Sequence, residues 1–214
     1  MIAAAGSGQR LGAGGPKALV EVAGRSLLDW SLEAFRGAST VAEIVVAAPP
    51  GEEDAVAERG VVAVTGGEHR SESVAKALEL CGGEIVVVHD AARPLVTPGL
   101  IDAVVEELAE ADDAAGVIAA TPVIDTVKQA REGLVEKTLD RSGLWAVQTP
   151  QAFRAEALRV ALSEPDRLPD ATDDAMLVER RGGRIRIHST SPENIKVTTP
   201  FDLGVAEMLL RERA

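Results

Sequence analysis

The chain has no tyrosine, only two tryptophans and three phenylalanines, and a single cysteine. So few aromatic rings leave almost no platforms on which the bases of a nucleic acid could stack. Positive charge is short as well: 22 Lys and Arg stand against 34 Asp and Glu, a net charge of −12. A surface for nucleic acid or an anionic membrane needs a basic field, so neither is expected as a partner. Cys81 alone cannot close an internal disulfide, which fits a reducing cytoplasm. It stands at helical spacing from Leu78 and reads as a core or interface residue rather than a nucleophile. No apolar run approaches the ~20 residues that span a bilayer, and no basic segment precedes an apolar one at the start. A soluble, cytoplasmic protein is expected. With 46% apolar residues in 214 positions there is material for a sizeable core, hence one domain over residues 1–214.

Strands and helices alternate. Ile2–Ala5, Glu43–Ala48, Val61–Thr65, Glu84–His89 and Ala115–Ala120 read as strands. Between them, Ser26 opens a helix with Leu28, Leu32 and Phe35 on one face, and Glu52–Arg59 is helical. Ser71 caps a helix that turns Val74, Leu78 and Cys81 inward, and Pro98–Ala111 forms another. This rhythm implies an α/β, Rossmann-like fold: a mostly parallel twisted sheet flanked by helices. Ligands of such sheets bind beyond the carboxyl ends of the strands. The Gly6 loop, the Gly66-Gly67 turn and Asp90 all fall there. The rhythm breaks at Thr121–Thr149, where Val123–Gln129 and Leu134–Leu139 form a hairpin around Arg131-Glu132-Gly133. A bare two-stranded ribbon is marginal alone, so residues 121–149 are expected to be a protruding arm buried by a second subunit. A helix near Arg154–Leu162, a loop at Pro165–Asp170, a helix from near Thr172, a strand at Arg184–His188 and a helix over Pro200–Arg211 complete the chain.

Three segments carry chemistry. The first is Ala3-Ala4-Ala5-Gly6-Ser7-Gly8-Gln9-Arg10-Leu11 with Gly14-Gly15-Pro16-Lys17. Small residues let backbone N–H groups close around a polyphosphate, and Arg10 and Lys17 add charge where phosphate would sit. It is neither G-x-x-x-x-G-K-[ST] nor G-x-G-x-x-G. Gly6 and Gly8 alone would be only a flexible turn; the two cations favour a nucleoside triphosphate. The second segment, Gly66-Gly67-Glu68-His69-Arg70-Ser71-Glu72-Ser73-Val74, permits close backbone approach and puts Ser73 in reach of a base or ribose, or is an ordinary capped helix. The third is His89-Asp90-Ala91-Ala92-Arg93-Pro94. Asp90 at a strand end can bind a divalent cation or a substrate hydroxyl, and Arg93 a second anion; equally, Asp90 caps a turn and Arg93 is solvated. His89 ends a buried strand and reads as packing.

These segments resemble the 2-C-methyl-D-erythritol 4-phosphate cytidylyltransferase family. The likeness continues through Asp125-Thr126, Asp140-Arg141-x-Gly143-Leu144-Trp145, Gln148-Thr149-Pro150-Gln151, Thr172-Asp173-Asp174-Ala175 and Asn194-Ile195-Lys196-Val197-Thr198, in order from end to end. The resemblance implies a nucleotidyltransferase domain in which a phosphate oxygen of methylerythritol 4-phosphate attacks the α-phosphorus of CTP and pyrophosphate leaves. It implies that the backbone of Ala4, Ala5, Gly6 and Gly8 wraps the triphosphate, with Arg10, Lys17 and Lys196 as charge stabilisers. Gly67, Glu68, Ser73 and Ala91 would surround cytosine and ribose. Asp90, Arg93, Thr126, Arg141 and Thr149 would take the second substrate, Thr126 and Arg141 reaching from the hairpin of a partner in a homodimer. Mg²⁺ would be held chiefly by the CTP phosphates, with no protein residue assigned as its ligand.

Departures from the family pattern are Ala18, where glutamine is common, and His69, where an acid is common. The chain starts inside its first strand, without the leading residues relatives usually carry; this is expected to weaken the sheet there, with a misassigned start as one explanation. No fused cyclase is expected after the last helix. Ribitol-5-phosphate cytidylyltransferases are the nearest alternative. They tend to read His-Asp-Ser-Val-Arg-Pro where this chain has Ala91-Ala92, and they lack the Asp140–Trp145 pattern. Sugar-1-phosphate uridylyl- and guanylyltransferases share the fold but not the later motifs. Against an inactive nucleotide binder stand Arg10, Lys17, Asp90, Arg141 and Lys196 together.

Overall fold

The computed structural model describes residues 1–8, 11–12, 14–163 and 172–213. Arg10 and the expected Pro165–Asp170 loop lie outside the described residues. The first strand, β1 (Ile2–Ala3), is followed by a small hairpin of β2 (Glu21–Val22) and β3 (Arg25–Ser26), then α1 (Leu27–Gly37) and β4 (Val45–Ala48). Next come α2 (Glu53–Ala57), β5 (Val62–Thr65), α3 (Arg70–Leu78), β6 (Ile85–Asp90), α4 (Pro98–Glu110) and β7 (Gly116–Pro122). The arm is β8 (Lys128–Arg131) and β9 (Leu134–Thr138), and β10 (Trp145–Arg154) re-enters the body. Then follow α5 (Ala155–Leu162), α6 (Asp174–Arg180), β11 (Ile185–Ser189) and α7 (Pro200–Arg213).

Seven strands form one sheet in the order β11-β7-β10-β6-β1-β4-β5. Neighbours run parallel except at β10, which is antiparallel to both β6 and β7. The chain runs outward from β1 through β4 to β5, then returns to lay β6 on the other side of β1. Loops leaving β1 and β6 therefore diverge and open a crevice at their carboxyl ends.

Period-two alternation sends the two halves of each strand to opposite faces. Val46 and Ala48, Val87, Val117 and Ala152 pack with Leu28, Leu32 and Phe35 of α1 and Ile101, Val104 and Leu108 of α4. Val45 and Ala47, Val86 and Val88, Ile118 and Phe153 pack with Val74 and Leu78 of α3, Leu158 of α5 and Leu177 and Val178 of α6. Ser26 caps α1 as expected, its Oγ accepting the Asp29 N–H at 3.0 Å.

Four expectations need correction. Ser71 does not cap α3. It lies inside the helix, and His69 is the cap residue; the Glu72 carboxylate accepts the Glu68 N–H at 2.9 Å and the His69 N–H at 3.4 Å. An acid in the first turn answers the orphan N–H groups there. Second, Cys81 lies past the end of α3, half-buried, its thiol donating to the Ala77 carbonyl at 3.3 Å; burial pushes its pKa up, so it stays an unreactive thiol.

Third, residues 145–149, expected in the arm, belong to β10 of the main sheet, which runs on to Arg154. Pro150 and the polar run Gln148-Thr149-Pro150-Gln151 argue against a strand. The register with β7 shifts between Val147 and Gln151, which takes Gln148, Thr149 and Pro150 out of that ladder while their side chains stay buried.

Finally, the first strand of the arm is shorter than Val123–Gln129. Its ladder begins at Lys128, and the Val123 N–H donates instead to Leu144 at 3.0 Å. Thr126 and Arg141 thus flank the hairpin rather than lie in it. Because Trp145 pairs with Pro122 and Ala146 with Thr121 in the main sheet, the projecting part is residues 123–144. All nine residues of β8 and β9 are exposed.

Candidate active site

The crevice between β1 and β6 is a cleft of about 760 Å³. The β1 loop forms one wall. The Lys17 N–H donates to the Gly6 carbonyl at 3.0 Å, folding the chain back so that Lys17 lies against Gly8. Gly8 is at φ +69°, and a Cβ there would stand 3.1 Å from that of Lys17, so a side chain there would be both strained and crowded. At Gly6 a Cβ would meet no protein atom within 4 Å; its bareness leaves space on the open side of the loop, as close approach of an anion requires. Ala4, Ala5, Gly6, Gly8 and Lys17 all line the cleft.

The opposite wall is the loop from β5 into α3. A Cβ at Gly67 would lie 2.4 Å from that of Glu72, so the loop is pressed onto its own helix. Ser73 is expected to contact base or ribose. Its hydroxyl here accepts the Gly67 N–H at 2.9 Å and donates to the His69 carbonyl at 3.2 Å. Ser73 thus shapes the wall as well as lining it beside Gly67 and Glu68. Ala91 lines the cleft too, its N–H donating to the Ala3 carbonyl at 3.1 Å.

Asp90 ends β6 and is 7% exposed. Both of its oxygens are taken: Oδ1 accepts Arg70 Nε at 2.7 Å and Oδ2 accepts Lys196 Nζ at 2.6 Å. Burial alone would raise its pKa, but Arg70 and Lys196 overcome it and hold the carboxyl far below the usual carboxylate range. Lys196 reaches this point because its segment is tied down on both sides. The Val197 N–H donates to the Ala92 carbonyl, and buried Asn194 Nδ2 donates to Gln148 Oε1 and the Thr149 carbonyl, each at 2.8 Å.

Arg93 and Thr149, expected as substrate contacts, are also tied into the scaffold. Arg93 is buried, donating to the Asn194 carbonyl at 2.7 Å and the Val147 carbonyl at 3.4 Å. Thr149 Oγ1 is buried, accepting the Asp90 N–H at 3.1 Å and bonding His89 Nδ1 at 3.0 Å. The Arg93 carbonyl can only accept, so His89 Nε2–H donates to it at 3.2 Å, and in the neutral ring Nδ1 accepts the Thr149 hydroxyl hydrogen. Thr126 and Arg141 are exposed on the arm and do not line the cleft of their own chain.

His89 therefore holds the end of β6, as its place in a buried strand suggested. Burial lowers its pKa from 6.5 to about 3. The unfolded chain takes up a proton at this ring near pH 6.5 and the folded chain only near pH 3, so its contribution to stability is lost as pH falls through that window. The slope is at most about 1.4 kcal/mol per pH unit. Urea midpoints measured from pH 7 to 4 should fall less steeply for His89→Gln; an unchanged slope would mean the imidazole is not kept neutral.

One residue at the cleft and one buried behind it received no role from the sequence. Arg70 lines it and also bonds Asp174, which is wholly buried. The signal was present: Asp174 shares a face with Leu177 and Val178 at helical spacing, where a carboxylate requires a cation.

The family model for 2-C-methyl-D-erythritol 4-phosphate cytidylyltransferase (IspD) matches residues 1–212. The chain belongs to this family. A 2-C-methyl-D-erythritol 4-phosphate cytidylyltransferase from Prochlorococcus marinus is 43% identical over 225 residues, covering 100% of this chain and 97% of the relative. The one from Saccharopolyspora erythraea is 44% identical over 98% of this chain and 97% of its own length. Among crystal structures of the IspD family, that of the Thermus thermophilus cytidylyltransferase superposes with a TM-score of 0.81 at 35% identity, covering 99% of this chain and 98% of that one.

Proposed function

We propose that this cleft joins CTP to 2-C-methyl-D-erythritol 4-phosphate, giving 4-diphosphocytidyl-2-C-methyl-D-erythritol and pyrophosphate, a step of non-mevalonate isoprenoid synthesis. The observation that carries the reading is the family match over residues 1–212, together with Lys17, Asp90 and Lys196 on the walls of one cleft. A phosphate oxygen of the sugar alcohol forms the new bond to the α-phosphorus as the bond to pyrophosphate breaks. The nucleophile is already an anion and needs no strong base, so the protein's task is positioning and charge neutralisation.

The β1 loop wraps the triphosphate, with Lys17, and Arg10 by family likeness, on its charge. Gly67, Glu68, Ser73 and Ala91 surround cytosine and ribose. Asp90 takes hydroxyls of the polyol and Lys196 serves the phosphates; Arg93 and Thr149 act by holding these two in place. Magnesium, when bound, neutralises and bridges phosphate oxygens. Both Asp90 oxygens are engaged by cations, and among the described residues no three His, Cys, Asp or Glu gather as a metal cage. Such a donor set fits an ion that the nucleotide itself ligates.

The arm supports a homodimer. It exposes Ile124 at 78%, Leu134 at 75% and Val135 at 62%, an apolar surface that a second copy would cover. Thr126 and Arg141 then reach the partner's cleft. A single cysteine and an acidic surface fit the cytoplasm; no helix among the described residues is long and apolar enough to cross a membrane.

Pyrophosphate release from CTP tests the reading, with methylerythritol 4-phosphate compared against ribitol 5-phosphate. Turnover is expected with the first. Turnover only with the second would overturn the substrate, and silence with both from a folded protein would overturn the activity.

A further inference from the structure

Behind the Asp90–Lys196 pair stands a second one. Arg70 Nε bonds Asp90 Oδ1 at 2.7 Å while its Nη1 bonds Asp174 Oδ2 at 2.6 Å, and Lys196 holds Asp90 Oδ2 at 2.6 Å. Four charges alternate in a row: Asp174, Arg70, Asp90, Lys196. Asp174 is 0% exposed, so it touches no substrate. Its neighbour Asp173 caps α6 by accepting the Met176 N–H at 2.9 Å, so Asp174 is not needed for that task. Its Oδ1 has no hydrogen-bond partner among the described residues, and burial pushes its pKa up. A carboxylate in that position gains little stability over an apolar residue of its size.

We infer that Asp174 is a positioning residue for the sugar-phosphate side of the reaction: it fixes the Arg70 guanidinium, which neutralises Asp90 so that Lys196 can leave Asp90 for the incoming phosphate. The inference rests on Asp90 and Lys196 serving that substrate, as proposed above. An incoming phosphate competes with Asp90 for Lys196. Were Lys196 the only cation bonded to Asp90, giving it up would strand a nearly buried bare carboxylate, which is costly. With Arg70 in place, Asp90 keeps one cation throughout the exchange. Arg93 gives Asp90 no hydrogen bond; those it makes go to the carbonyls of Asn194 and Val147. A lysine could not substitute for Arg70 either, since the guanidinium fork reaches two carboxylates at once.

Asp174→Asn, a change of charge with little change of shape, tests this. The expected result is a kcat about tenfold lower and a several-fold higher KM for methylerythritol 4-phosphate, with KM for CTP within about twofold of native. Arg70→Lys should give the same split, and the two changes together should cost little more than either alone, because they break one relay. Native kinetics in folded Asp174→Asn, or equal rises in both KM values, would overturn the proposal. If Asp174→Asn does not fold, Arg70→Lys is judged by the same two outcomes. Asp90→Asn separates the two levels of the argument. An unchanged KM for the sugar phosphate there would overturn the site reading itself. A raised KM there with native Asp174→Asn kinetics would overturn only the relay.

Discussion

Lys17→Ala is expected to lower kcat by about a thousandfold while CTP affinity falls by less than about tenfold. The asymmetry follows from where the lysine stands and when its charge is needed. Its backbone is fixed by the bond from its N–H to the Gly6 carbonyl and by the 3-10 turn of Lys17–Leu19 that follows Pro16. The stem packs against Gly8, inside the loop that takes the triphosphate. In the ground state the nucleotide's charge would be spread over three phosphates and shared with backbone N–H groups. As the bond to pyrophosphate breaks, charge builds on the leaving group and the equatorial oxygens. A fixed cation in a cleft of low dielectric counts most at that moment. Single-turnover rates and calorimetric CTP binding on one preparation check this. Loss of binding with kcat unchanged would make Lys17 a ground-state contact and remove it from the chemistry.

The phosphate loop, the wall at Gly67 and the strand-end Asp90 were legible in the sequence because each is a local pattern at a strand's carboxyl end, where the topology puts ligands. Lys196 was legible through the resemblance, since nothing near it in sequence points to a cleft. What could not be read was the use to which polar atoms are already put. Arg93 and Thr149 look like ligands in a linear motif, which does not say that they also bond Asn194, Val147, Asp90 and His89. The opposite error befell Arg70 and Asp174, which a motif names without saying that they meet across 104 residues. Strand β10 stayed hidden for a related reason: Gln148, Thr149 and Gln151 are polar but buried, a pattern that local periodicity reads as a loop.

Arg141→Ala is expected to raise the KM for the sugar phosphate far more than that for CTP, and its pairing with Lys17→Ala decides whose cleft it serves. Within one chain the arm projects away, with Arg141 exposed and absent from the cleft lining. If Arg141 completes the partner's site, a heterodimer of one Lys17→Ala chain and one Arg141→Ala chain contains one site carrying both defects and one carrying neither. Refolding an equal mixture of the two variants at subsaturating sugar phosphate should then restore about one quarter of native activity, since half the dimers are mixed and each has one intact site of two. If each chain instead supplies its own Arg141, every site in the mixture carries one defect and the activity stays at the mean of the two variants. Removing residues 124–143 and closing the gap should leave the seven-stranded body folded, because that segment's ladder is confined to β8 and β9. The truncated protein should bind CTP and run as a monomer in size-exclusion chromatography. A truncated protein that still dimerises and turns over would show that the exposed side chains of Ile124, Leu134 and Val135 are not what joins two copies.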